Sequence, residues 1–198
     1  GAKLVFREEE NPRAKLMACA RNDKLFSDGS DLRQLAKQVR YVIGGTDEVA
    51  KTFRVIALPK AWQTDPWSTV EENEHPDKWD DRLPILMLPE EPEKLDQSLG
   101  RWLKDHLQKR RNTIRFLLPR TGSTNAFLDR DLLVLARAEL KAHEWSGQGP
   151  EYKKLHSEFQ GALRENLKKR FDRFAVLSRW NFADPSQCRF SVETLKKQ

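Results

Sequence analysis

Along this chain, short apolar runs closed by proline alternate with longer stretches whose apolar residues recur every three or four positions. Five runs predict strands: Leu4 to Phe6, Thr52 to Leu58, Ile85 to Leu88, Asn112 to Leu118, and Phe174 to Leu177 with an outer limit at Trp180. Three of them stop at Pro59, Pro89 and Pro119, which cannot donate to a sheet ladder. Their nearly continuous hydrophobicity suits strands covered on both faces, as in a parallel α/β sheet. Helical spacing runs through Leu32, Leu35, Ala36, Val39 and Ile43, with Ser30 as N-cap and Gly44 as the stop. It recurs after Pro92 in Leu95, Leu99, Trp102, Leu103, His106 and Leu107. A third stripe, Leu128, Leu132, Leu135, Ala136 and Leu140, opens after Thr124 or Asn125 and closes near Gly147. The longest follows Pro150 through Leu155, Phe159, Leu163, Leu167, Phe171 and Phe174, with Lys and Arg opposite.

This alternation predicts an α/β domain with a mixed or largely parallel sheet of roughly four to six strands flanked by helices. The expected parts are a helical region over 1–51, a tryptophan-bearing insertion over 60–83 and a long amphipathic C-terminal helix over 150–174. The insertion fits neither period and carries Trp62, Trp67 and Trp79 among acidic residues and prolines. It is either a surface excursion whose tryptophans pack back onto the domain or a segment that docks on a partner.

Composition narrows the class. The chain has 198 residues, enough for a sizeable core, with 36 Lys and Arg against 30 Asp and Glu and a formal charge of +6. Both signs are spread along the chain, so the excess hints at an anionic partner without naming one. Charged residues make up 33% and hydrophobic ones 38%, a polar but foldable balance. No apolar run approaches the ~18 residues of a membrane span. Cys19 and Cys188 have no ligand spacing and are too few for a disulfide scaffold, so a reducing, cytoplasmic setting without a membrane partner is expected. The chain opens Gly-Ala-Lys without a methionine and reads as part of a longer polypeptide.

Motifs for self-sufficient chemistry are missing from the sequence. Gly44-Gly45-Thr46 lacks the lysine of a P-loop and follows a helix instead of a strand. His75, His106, His143 and His156 have no metal-ligand spacing, so neither metal nor catalytic residues are assigned. One loop has more to offer. Arg120, Gly122, Ser123, Thr124 and Asn125 follow a strand and precede a helix, where amides, hydroxyls and a guanidinium suit a phosphate. The alternative is a glycine turn followed by a helix cap. Two basic clusters complete the list. Lys109-Arg110-Arg111 closes a helix and complements its dipole. Lys168, Lys169, Arg170 and Arg173 suit a nucleic-acid backbone, although Glu158 and Glu165 share the helix.

Two stretches are more specific. Arg111-Asn112-Thr113-Ile114-Arg115-Phe116-Leu117-Leu118-Pro119 resembles the Arg-Asn-Thr-(apolar)-x-Phe-Leu segment of a family of large bacterial AAA-type P-loop ATPases. The family is catalogued as a domain of unknown function and is often encoded in restriction-like, phage-defence gene clusters. Val5-Phe6-Arg7-Glu8-Glu9-Glu10-Asn11-Pro12 is similar to the Phe-Arg-Thr/Glu-x-x-Asn segment that follows the family's nucleotide-binding motifs.

The resemblance implies a region beyond the Walker motifs, with no cofactor of its own and with ATP and magnesium in the parent protein. The implied partners are the rest of that ATPase, other subunits of a defence complex, and DNA. Arg111 is the one residue it offers for a trans-acting role, against a salt-bridged arginine at the start of a strand. The function expected first is a non-catalytic module coupling nucleotide state to partners or assembly. A nucleic-acid-binding module is the second expectation, and a small enzyme holding a phosphorylated ligand at 120–125 the third.

Overall fold

Three apolar runs ending in the same dipeptide form the parallel part of the sheet. In the computed structural model, which describes residues 11–26, 32–109 and 111–195, they are β1 (Phe53–Ala57), β2 (Leu83–Met87) and β3 (Arg115–Pro119). They pair in parallel, with Ala57 beside Met87 and Met87 beside Leu117. This register brings Leu58-Pro59, Leu88-Pro89 and Leu118-Pro119 to one edge, where the prolines end the ladder along a common line. β4 (Phe171–Arg179) and β5 (Arg189–Thr194) add antiparallel, in the order β1-β2-β3-β4-β5. The described residues therefore form an α/β fold with a five-stranded mixed sheet and flanking helices.

The helices are α1 (Pro12–Asn22), α2 (Leu32–Gly44), α3 (Asp47–Thr52), α4 (Leu95–His106), α5 (Arg130–Glu144) and α6 (Pro150–Arg170). Side chains alternate across each strand, so the sheet has two apolar faces. Val55, Ala57 and Met87 face α2, α5 and α6 through Leu35, Val39, Leu132 and Leu163. Ile56, Leu86, Phe116 and Leu118 face α4 and the 60–83 segment through Leu99, Trp102, Trp62 and Val70. α1 adds an outer layer, setting Leu16 and Ala20 against Ala138, Ala142 and Phe159 of α5 and α6. No helix among the described residues is long and apolar enough to cross a membrane.

The 60–83 segment has three 3-10 turns, Pro66–Thr69, Glu72–Glu74 and Pro76–Lys78, and its tryptophans pack inward. Trp62 is buried and donates to Glu90 Oε1 at 2.8 Å; Trp67 meets Trp102 and Trp79 edge-on. Arg54 of β1, itself buried, donates to Glu74 Oε2 at 2.6 Å and to Asp80 Oδ2 at 3.3 Å. The segment thus lies over β1, which among the described residues has a strand neighbour on one side only.

Several boundaries depart from the pattern. The long helix stops at Arg170 rather than at Phe174, and Phe171 passes straight into β4. A register shift opposite Leu118 and Pro119 inserts one residue between Phe171 and Arg173. That bulge turns Phe171 and Phe174 to the same face, so an apolar spacing of three is satisfied by a strand. The third helix opens at Arg130 under an Asp129 cap, because Asn125 caps a separate 3-10 turn, Ala126–Leu128. It closes at Glu144, ahead of a further 3-10 turn over Ser146–Gln148. β5 has no counterpart among the expected strands; Phe190 and Val192 are its only apolar residues, and it is largely exposed. The Leu4–Phe6 run, the Ser30 cap and Arg110 lie outside the described residues.

Candidate functional site

In open α/β sheets ligands gather beyond the carboxyl ends of the parallel strands, so the Leu-Pro edge is the first place to look. All three prolyl carbonyls there have protein donors. Asn125 Nδ2 donates to Pro59 O at 3.0 Å, Ala126 N to Pro89 O at 2.8 Å, and Arg173 Nη2 to Pro119 O at 2.7 Å. A cleft of about 440 Å³ lies beside this edge, lined by Pro59, Trp62, Gln63, Glu90, Asn125 and Leu128. Ala61, at its rim, holds a left-handed φ of 51°.

Within the predicted phosphate loop, Arg120 and Thr124 are exposed and Gly122 makes the turn at φ 89°. Arg120 N donates to Arg170 O at 2.8 Å, and Ser123 N to Arg120 O at 3.2 Å. Asn125 also accepts from Phe127 N through Oδ1 at 3.1 Å. The amino terminus of α5 lies beyond the loop, and Asp129 already occupies it. Its carboxylate accepts from Asp131 N at 3.0 Å and Leu132 N at 3.2 Å, and pairs with Arg170 at 2.5 Å. A carboxylate at a helix amino terminus is favoured by the macrodipole, and here it stands where an anion would bind.

The basic cluster divides. Lys168 and Lys169 are exposed, with Lys168 3.8 Å from Glu165. Arg170 is held by Asp129 and by Asn166 Oδ1, and Arg173 grips Glu91 with both Nη atoms at 3.3 and 3.1 Å. Arg111 forms no salt bridge among the described residues. Its guanidinium lies 4.7 Å from the Trp180 ring centroid, and Nε donates to Leu107 O at 2.9 Å. Of the histidines, His75 meets Val70 O, His106 meets Gln63 O, and His156 meets Glu139 Oε1. Glu139 is buried and also accepts from Gln38 Nε2 at 2.6 Å, which ties α2, α5 and α6 together. No group of three His, Cys, Asp or Glu among the described residues is placed to hold a metal ion.

The face of the sheet beneath α2 and α6 holds a site that sequence reasoning missed. Between α2, α3 and α6, a groove of about 390 Å³ lies against Phe53 and Val55 of β1, Ile85 and Met87 of β2, and Arg115 and Leu117 of β3. Phe53, Val55, Ile85, Leu117, Phe171 and Phe174 form its floor and walls, and Arg115, Arg164 and Lys168 are its cations. Val55, Ile85 and Arg115 stand side by side in register, so two apolar residues and a guanidinium share one row. Arg115 and Arg164 are half-buried, with no carboxylate partner among the described residues. Arg164 Nε donates to Val42 O at 3.1 Å, and Arg115 Nη1 to Thr113 O at 3.3 Å. The groove draws on seven elements, and only the shared register of the strands foreshadows it.

Compared with protein-family models, curated proteins and solved structures, the chain matches none of the three.

Proposed function

We propose that this chain is a non-catalytic, cytoplasmic module of a multidomain bacterial ATPase of the kind its Arg-Asn-Thr and Phe-Arg-Glu stretches resemble. In that role it couples nucleotide state to partner subunits or to assembly, and ATP and magnesium belong to the remainder of the parent protein. The observation that carries this reading is the engagement of the carboxyl edge. Asn125, Arg170 and Arg173, three groups suited to handle a phosphate there, are instead engaged by Pro59 O, by Asp129, and by Pro119 O and Glu91, and Asp129 itself fills the helix terminus an anion would need.

The residues behind the resemblance support the same reading. Ile114, Phe116 and Leu118 are fully buried, and Arg111 is stacked on Trp180, so the motif builds the central strand and its approach. The nucleic-acid reading has less behind it, because two of its four cations are paired with carboxylates.

Arg111→Ala in the parent ATPase is the test. A trans-acting arginine is worth on the order of 10³ or more in turnover. A packing arginine over a ring is worth roughly 1 kcal/mol of stability. Turnover within about threefold of wild type, with a lowered melting temperature, is therefore expected. A thousandfold loss of turnover overturns the non-catalytic reading. So does hydrolysis of a phosphorylated substrate by residues 1–198 that disappears in Ser123→Ala or Thr124→Ala. Salt-dependent duplex binding abolished by charge reversal at Lys169 would favour the nucleic-acid module instead.

A further inference from the structure

The groove between the sheet and α2, α3 and α6 combines two features that are costly when left to water. One is contiguous apolar surface at Phe53, Ile85, Leu117 and Phe174, a combination typical of binding surfaces. The other is a pair of half-buried guanidiniums, Arg115 and Arg164, without a carboxylate partner among the described residues. Of the other half-buried or buried arginines, Arg40, Arg54, Arg82, Arg170 and Arg173 each have an acidic partner, whereas Arg137 donates to Leu25 O and Arg111 lies over the Trp180 ring. Lys168 extends the positive rim, and its contact with Glu165 is a solvent-exposed pair of the kind that contributes little. The matching ligand is an apolar segment with acidic residues immediately beside it.

The chain contains such a segment. Leu4-Val5-Phe6-Arg7-Glu8-Glu9-Glu10 places three apolar residues ahead of three carboxylates and lies outside the described residues. We propose that the groove is the docking site of this segment, with Leu4, Val5 and Phe6 on the apolar floor and Glu8 to Glu10 facing Arg115, Arg164 and Lys168. Its point of attachment is close by. The described chain begins at Asn11, and Arg13 in the first turn of α1 pairs with Glu158 and lies over the Phe159 ring, both on α6. Arg164 and Lys168 follow on that same helix, about 9 and 15 Å further along at 1.5 Å per residue. Five residues from Asn11 back to Phe6 span up to roughly 17 Å when extended. The tether is therefore long enough to run along α6 as far as Arg164 and Lys168, and a tethered segment binds at high effective concentration. The docking concerns this chain alone and holds whether or not the parent protein is an ATPase.

The test uses the intact chain at low concentration and zero-length carbodiimide coupling, which joins only an amine and a carboxylate already in contact. Mass spectrometry should find Lys168 joined to Glu8, Glu9 or Glu10. The Lys168–Glu165 link serves as an internal reference. Phe6→Asp should lower the long-range link about tenfold relative to that reference, as expected for loss of an aromatic anchor. Circular dichroism should be unchanged. Arg164→Glu should lower the link as well, and Glu9→Lys combined with Arg164→Glu should recover amide exchange protection at residues 4–6. Coupling of Lys168 to Glu165 alone overturns the proposal, and so does a long-range link insensitive to Phe6→Asp. A link that joins differently isotope-labelled chains in a mixed sample also overturns it, in favour of the segment of a second copy.

Discussion

Asp80 shows how much a single side chain draws from neighbours that no local pattern predicts. Arg82 Nε donates to both of its carboxylate oxygens, at 3.0 and 2.9 Å, and Arg82 N donates to Oδ1 at 3.1 Å. The Arg82 hydrogen bonds, with the Arg54 charge behind them, lower its carboxyl to about 2. A carboxyl lowered on folding contributes stability that is complete above its unfolded value of about 4 and is lost as the pH falls through the folded one. Urea midpoints of wild type and Asp80→Asn should therefore differ at pH 6 and converge between about pH 4 and pH 2. A constant difference across that interval would refute the linkage. The exposure of Asp80, whose side chain is 48% accessible, keeps the contribution small. Arg54 is buried by the same network, yet in sequence it is one arginine in an apolar run. Gly100 is equally illegible in advance. A Cβ there would sit 2.1 Å from Pro185 O, because α4 packs directly on the turn before β5. Loop residues 120–125 were recognisable as a turn, but the chain alone says nothing of Asn125 bridging to Pro59.

At the scale of elements, local signals placed most pieces and misjudged their ends. The proline-stopped runs are β1, β2 and β3, and the stripes at Leu32, Leu95 and Leu128 mark α2, α4 and α5. Where the pattern failed, two structures shared one spacing. Phe171 and Phe174 continue the α6 stripe, and only pairing with Pro119 and Leu117, with its bulge, makes them β4. Asn125 and Asp129 are both good caps four residues apart, and each caps its own turn. Asp129 does double duty, since its carboxylate also holds Arg170 at the end of α6. Asp129→Ala should cost about 1–2 kcal/mol in thermal unfolding, the usual loss for an N-cap. Asp129→Asn should recover the part due to the amide bonds but not the part due to Arg170. An alanine variant as stable as wild type would mean that α5 is held without its cap.

Across the whole molecule, Trp102 joins parts far apart in the chain. It is 2% exposed, donates to Trp62 O at 2.6 Å, and meets Trp67 and Phe116 edge-on at 5.8 and 5.3 Å. Phe116 in turn meets Phe190 of β5. Trp102→Ala should cost roughly 3–5 kcal/mol and open the 60–83 segment to limited proteolysis at Lys60 or Lys78 before the rest. Cleavage no faster than in wild type would show that the segment is anchored elsewhere. The α/β class, the parallel strands and the long helix were all readable from residue patterns. Each follows from steric and solvation preferences acting over a few neighbouring residues: a missing amide at proline, an apolar period, a capping side chain. The cation-rimmed groove, the lacing of the Leu-Pro edge and the inward turn of the tryptophans have no such local cause. They arise from strand register and helix packing, which depend on pairings between residues tens of positions apart, and so they exist only once the chain has closed on itself.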